Sequence, residues 1–123
     1  MKCLIVDDSE SARELLRLIL EQPGLDILEA EDGEAAMREA LRHVPDLIIL
    51  DIGLPKMDGF AVLAALRQHP VFVLTRVIGL SAAAGDTQPE VLAAAGFTHF
   101  LTKPVRPAVL RAMVADMQAS VLA

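Results

Sequence analysis

Residues 46–59 read Asp-Leu-Ile-Ile-Leu-Asp-Ile-Gly-Leu-Pro-Lys-Met-Asp-Gly, and no other stretch limits the fold as strongly. Leu47 to Leu50 run without a polar break. Such a run suits a strand buried on both faces, the situation at the centre of a parallel sheet covered by helices. It ends on Asp51, and turn chemistry follows at Gly53, Pro55 and Asp58-Gly59. Open α/β sheets place their binding sites at the carboxyl ends of their strands. Asp51 is therefore the first candidate for chemistry, read here as the residue that is covalently modified.

The rest of the chain alternates around this centre. A first strand at 2–6 ends at Asp7-Asp8. Ser9 or Ser11 can cap the helix that follows, and Ser11 with Glu14 fits a capping box. Leu15, Leu16, Ile19 and Leu20 recur at helical spacing, and Pro23-Gly24 stops the helix. A short strand at 25–29 precedes a helix opened by Asp32-Gly33, with Ala36, Met37, Ala40, Leu41 and Val44 on its apolar face and Pro45 as its end. The central strand is placed at 46–50. A third helix is marked by Phe60, Leu63 and Leu66 and ended by His69-Pro70.

A fourth strand is placed at 76–80, just before Ser81. The fourth helix starts near Thr87 or Pro89, since proline is tolerated in a first turn, and stops at Gly96. The fifth strand spans 98–102. The last helix begins between Val105 and Pro107 and turns Val109, Leu110, Met113, Val114 and Met117 inward. Five strand–helix units predict a doubly wound (βα)5 parallel sheet with helices on both faces. Residues 1–123 form one domain, with no linker or repeat.

Composition narrows the function. A formal net charge of −6 without a basic run argues against direct nucleic-acid binding. No apolar stretch approaches a membrane span, and Asp7-Asp8 interrupts any signal-like start, so no membrane association and a cytoplasmic location are expected. The single cysteine, Cys3, falls in the first strand and reads as a small buried apolar residue. His43, His69 and His99 are scattered and read as surface residues rather than a metal set.

The strand ends carry a constellation. Asp7 and Asp8 follow the first strand, Asp51 the third, Ser81 the fourth and Lys103 the fifth. In a doubly wound sheet these ends gather in one crevice. Clustered carboxylates repel one another unless a positive charge compensates. Mg²⁺, or Mn²⁺, is the hard cation suited to oxygen ligands, and it would also offset the charge of an incoming phosphoryl group. Asp51 is then the nucleophile that forms an aspartyl phosphate, with Lys103 and the Ser81 hydroxyl on the remaining phosphoryl oxygens.

Four segments carry a family resemblance: Leu-Ile-Val-Asp-Asp-Ser at 4–9, Leu-Asp-Ile-Gly-Leu-Pro-Lys-Met-Asp-Gly at 50–59, Gly-Leu-Ser-Ala at 79–82 and Phe-Leu-Thr-Lys-Pro at 100–104. Over its whole length the chain resembles the receiver domain of a two-component response regulator. The resemblance implies the flavodoxin-like strand order 2-1-3-4-5. It implies that Asp51 accepts a phosphoryl group from a phosphohistidine on a histidine kinase or histidine phosphotransfer protein. It further implies that Asp8, Asp51 and the Gly53 carbonyl ligate Mg²⁺, that Asp7 acts through metal-bound water, and that Lys103-Pro104 is cis.

Phe100 matches the family's aromatic switch position. Ser81 would be drawn to the phosphoryl group and Phe100 would turn inward, changing the surface of the fourth helix, fifth strand and fifth helix that meets a downstream protein. Such a domain is not an enzyme beyond its own phosphorylation and dephosphorylation. Cognate kinase, output and oligomeric state stay open, a phosphorylation-dependent homodimer included. Met1 at the start and an end just after the last helix favour a stand-alone receiver over a piece of a longer regulator.

Rival classes fit less well. An aspartate-nucleophile phosphohydrolase places a second carboxylate two residues after the nucleophile, where this chain has Gly53. A nucleotide or flavin binder needs a phosphate-cradling loop after the first strand, and Asp7-Asp8-Ser9 would repel phosphate. The alternative is a phosphorylation-independent, receiver-like interaction module, although degenerate receivers usually lose an acidic residue or the lysine and this chain keeps them all. Gly53 offers no side chain to position or block attacking water. Gly53→Asn is accordingly expected to change the dephosphorylation rate, and an unchanged phosphoryl lifetime would reject that role.

Overall fold

The computed structural model describes residues 1–52, 59–81 and 89–122. Its strands are β1 (Lys2–Val6), β2 (Asp26–Ala30), β3 (Leu47–Asp51), β4 (Arg76–Ser81) and β5 (His99–Thr102). Its helices are α1 (Glu10–Leu20), α2 (Gly33–His43), α3 (Gly59–Arg67), α4 (Pro89–Ala95) and α5 (Pro107–Leu122). All four strand pairings are parallel, in the order β2-β1-β3-β4-β5. This is the doubly wound, flavodoxin-like arrangement. Strands 2, 3 and 5 lie within a residue of their expected places, and β3 and β4 each carry their terminal Asp51 and Ser81 as strand residues.

Strand alternation sorts the core into two halves. Leu4, Val6, Ile48, Leu50 and Val77 face one side, where Ala36 and Ala40 of α2 and Val62, Leu63 and Leu66 of α3 cover them. Cys3, Ile5, Leu47, Ile49, Ile78 and Leu80 face the other, beneath Leu16, Ile19 and Leu20 of α1 and Leu110, Val114 and Met117 of α5. Every residue of β3 is buried. Truncating one of its leucines or isoleucines to alanine would cost about 2–5 kcal/mol, a large share of a small domain's stability. Burial pushes the Cys3 thiol up to about 12, so it is inert as well as unpaired.

The apolar helix faces are narrower than the sequence suggests. Leu15, Leu41 and Val109 stay 58%, 48% and 38% exposed. Residues on a helix advance by about 100° each, so these three lie well to the side of the buried pairs Leu16–Leu20, Ala36–Ala40 and Leu110–Val114. The expected capping box of Ser11 and Glu14 does not form. Ser9 is the N-cap, its Oγ accepting from the Ala12 N–H at 3.2 Å. The Asp7 carboxylate accepts from the Ser9 N–H at 3.0 Å, so of the two candidate caps it is Ser9 that opens α1. Asp32 caps α2 in the same way, accepting from the Ala35 N–H at 2.8 Å.

At the far end of the sheet the Arg67 side chain joins two connections. α3 ends at Arg67, and a short 3₁₀ turn (Pro70–Phe72) follows. The Arg67 guanidinium donates to the carbonyls of Phe72, Thr75 and Gly96, joining that turn to the end of α4. Gly96 sits at φ 104°, a conformation that suits glycine.

Val44 is not the inward-facing residue its spacing suggests. It forms the left-handed C-cap of α2 at φ 46°, ψ 68°, and is 41% exposed. A β-branched residue is a poor occupant of that region. Val44→Gly is expected to stabilise the fold by about 1 kcal/mol, read as a higher urea midpoint at constant slope.

Candidate functional site

The sheet order brings the ends of β1, β3, β4 and β5 together. β1 and β3 are neighbours, with Val6 opposite Leu50, so Asp7 and Asp51 emerge side by side. Among the described residues, Asp7, Asp8 and Asp51 are the one group of acidic, histidine or cysteine side chains whose ligand atoms gather, all within 4.8 Å of one another. Asp7 and Asp51 are buried and Asp8 is exposed. Lys103 reaches back from the end of β5, its Nζ lying 3.2 Å from Asp7 Oδ2 and 3.3 Å from Asp51 Oδ2. The Lys103–Pro104 peptide is cis.

The electrostatics follow from this geometry. Burial alone would lower the Lys103 ammonium pKa, but the charges of Asp51 and Asp7 and their hydrogen bonds outweigh it and hold the pKa above the ordinary lysine value. Lys103 therefore stays charged. Lys103 pairs with two of the three clustered carboxylates, and among the described residues Asp8 has no cationic partner. A crowded set of hard oxygen donors with an uncompensated charge fits a small divalent cation. Gly53, whose carbonyl is the further expected ligand, lies outside the described residues.

Backbone contacts lock the frame. The Lys103 N–H donates to the Ser81 carbonyl at 2.7 Å, so the hydroxyl-bearing residue and the lysine are tied across β4 and β5. Ser81 is half-buried at the end of β4, and Leu80 pairs with Asp51. Gly59 opens α3 directly behind the site. A Cβ there would lie 2.6 Å from Ile52 Cα and 3.0 Å from the Asp51 carbonyl, so only glycine allows α3 to start so close. Phe100 lies on β5 opposite Gly79, 38% exposed. His69 and His99 are exposed, and His43 pairs with Glu39 at 3.4 Å, apart from the acidic group.

One part of the frame is not legible from spacing. Arg13 donates from Nη1 to the Asp7 carbonyl at 2.7 Å and from Nε to Glu29 Oε1 at 3.1 Å. Arg17 donates to Glu29 Oε2 from Nε and Nη2 at 3.0 and 2.7 Å. The only advance signal is a pair of arginines four residues apart on α1, and their partner on β2 emerges only with the strand order.

These features define a class of protein: a doubly wound α/β domain with an acidic pocket and an opposed lysine at the carboxyl end of its sheet. Residues 3–115 match the family model described as response regulator receiver domain, and the chain belongs to that family. It is 39% identical to the alkaline phosphatase synthesis transcriptional regulatory protein PhoP of Bacillus subtilis, over 92% of this chain and 46% of that protein. The chain thus spans about half the length of that curated relative.

Among solved structures, it resembles the chemotaxis protein CheY4 of Vibrio cholerae at a TM-score of 0.85 and 30% identity, covering 94% of this chain and 97% of the other. It also resembles the signal receiver domain of a signal transduction histidine kinase from Syntrophus aciditrophicus. The TM-score there is 0.83 with 32% identity, over 98% and 91% of the two chains.

Glu29 provides a pH test of the frame. Burial alone would raise its carboxyl pKa, but hydrogen bonds and charge from Arg17 and Arg13 outweigh it and hold the group below its ordinary 4.5. Its contribution to stability is then complete above that pH and is lost as pH falls through the lowered value. Glu29→Gln is expected to be less stable than wild type at pH 7, with the gap closing in acid; denaturant titrations across pH check this.

Proposed function

We propose that this domain is a phospho-accepting switch in which Asp51 is the acceptor. The observation that carries the reading is the convergence of Asp7, Asp8 and Asp51 on one point with the Lys103 ammonium set against two of them. Asp51 attacks the phosphorus of a phosphohistidine on a histidine kinase or histidine phosphotransfer protein. An O–P bond forms as the P–N bond breaks, and the electron pair leaves on the imidazole nitrogen. Lys103 keeps its charge in the pocket and turns from the carboxylates to the phosphoryl oxygens, joined by the Ser81 hydroxyl. Asp7, Asp8 and Asp51 would hold Mg²⁺, or Mn²⁺, between their carboxylates. When bound, the cation offsets the negative charge that gathers at the phosphoryl oxygens.

Phosphorylation adds about −1.5 to −2 charges beside Asp51. Ser81 moves toward them and, through its carbonyl bond to Lys103, carries the β4–β5 ends with it. Phe100, now on the outer side of β5, turns inward. The surface of α4, β5 and α5 shifts between two populations, and a downstream protein, or a second copy of the chain, reads it. The domain has no catalytic role beyond its own phosphorylation and hydrolysis. It acts in the cytoplasm without contacting membrane or nucleic acid.

The test is intact mass after incubation with acetyl phosphate or phosphoramidate, with and without Mg²⁺, on wild type and Asp51→Asn. One phosphoryl adduct that requires Mg²⁺ and is absent from the variant is expected. No adduct with either donor would overturn the reading in favour of a phosphorylation-independent interaction module.

A further inference from the structure

Asp8 is the acidic residue that the pocket holds least directly. Asp7 is fixed at three atoms: its N–H donates to the Ala30 carbonyl at 3.1 Å, Oδ1 accepts from the Ser9 N–H and Oδ2 faces Lys103. Asp51 is a β3 residue and faces Lys103 as well. Asp8 lies on the exposed turn just beyond Asp7. Its direction depends on the peptide that joins it to Asp7. That peptide is planar, so fixing the Asp7 carbonyl also fixes the Asp8 N–H and the placement of the Asp8 Cα.

The carbonyl is fixed by Arg13. A 2.7 Å bond from a guanidinium is short and charge-assisted. The Arg13 side chain is only 14% exposed, and Glu29 clamps its Nε. Glu29 sits on β2 opposite Ile5 of β1, and its second oxygen is held by Arg17. The clamp is therefore anchored at both ends to regular structure.

Its sign is unusual. A cation beside three carboxylates opposes the binding of a second cation, so charge alone would make Arg13 a liability. Glu29 holds the guanidinium by its Nε while Nη1 donates to the carbonyl rather than to a carboxylate of the pocket.

We propose that Arg13, held by Glu29, is a positioning residue that aims Asp8 into the acidic pocket and so sets its affinity for a divalent cation. This rests on the reading of the pocket as a cation site. Positioning and charge make opposite predictions. Losing a partner that orients a ligand weakens metal binding, by about ten-fold at the lower end of such effects. Losing only a nearby positive charge tightens it.

The experiment is calorimetric titration of Mn²⁺ into the full chain at fixed ionic strength, with thermal unfolding of each metal-free variant alongside. Arg13→Gln is expected to bind about ten-fold more weakly than wild type. Arg13→Lys keeps the charge but lacks the fork that serves Glu29 and the carbonyl together, and is also expected to bind more weakly. Arg17→Gln touches Glu29 but not the Asp7 carbonyl, and is expected to bind like wild type.

Binding by Arg13→Gln as tight as wild type or tighter would overturn the positioning role while leaving the cation site standing. Equal weakening in Arg17→Gln would also overturn it, as a general effect of stability or charge. If Arg13→Gln does not fold, wild-type affinity in Arg13→Lys decides against the proposal. Absence of Mn²⁺ binding by wild type would remove the cation site itself, and the proposal with it.

Discussion

The structure depends on one ammonium between two carboxylates. A parallel sheet ordered 2-1-3-4-5 necessarily sets the ends of β1 and β3 side by side, and here both ends carry buried acid. Two such groups in a low-dielectric pocket repel strongly unless a positive charge is shared between them. Lys103 supplies that charge from the edge of the sheet, two strands away from Asp51. The ends of β1, β3 and β5 are thereby tied at the carboxyl edge of the sheet. The tie is charged, hydrogen-bonded and only partly shielded from water, so a strong competing anion can take the lysine over. A pocket held by that kind of bond is stable at rest and still open to rearrangement.

Much of this was readable in advance because the strands are short, apolar and closed by acids. Leu47 to Leu50 marked the centre, since an unbroken apolar run has few places to go other than between two helical layers. Asp7, Asp8, Asp51, Ser81 and Lys103 were legible because each terminates a strand, and strand ends converge in this topology whatever the loops do. The structure brings the three acids and Lys103 into one group and ties Ser81 to Lys103 through the backbone. Gly53 belongs to the same expectation but falls outside the described residues.

What stayed hidden has a common physical origin. The Arg13–Glu29 pair joins residues on different elements, and neither residue type is unusual on a helix or an edge strand. Its meaning comes from a carbonyl, an atom that every residue carries. Val44 was misread because a helical repeat says nothing about where the helix stops; the chain leaves the α region at that residue. Leu15, Leu41 and Val109 follow helical spacing as well as their buried neighbours do, but a helix lying on a flat sheet buries only a narrow stripe. The choice between Ser9 and Ser11 as the cap of α1 is settled by a contact spacing does not show: the Asp7 carboxylate captures the Ser9 N–H, so the acid that builds the pocket also decides where the helix begins.

The glycine at the start of α3 has a mechanical consequence. Because α3 begins in backbone contact with Ile52 and the Asp51 carbonyl, the chain behind Asp51 has no slack on that side. Backbone cannot give way as a side chain can by changing rotamer. Toward β4 the Ile52 N–H donates to the Leu80 carbonyl at 2.9 Å, while its side chain and the Phe97 ring lie over Gly79, and Phe97 rests edge-on against Phe60. A push originating at Asp51 thus meets bonded backbone on both flanks, and finds give only in the layer of side chains that Ile52, Phe97 and Phe60 form. The fold gives a local disturbance a direction before any partner is present.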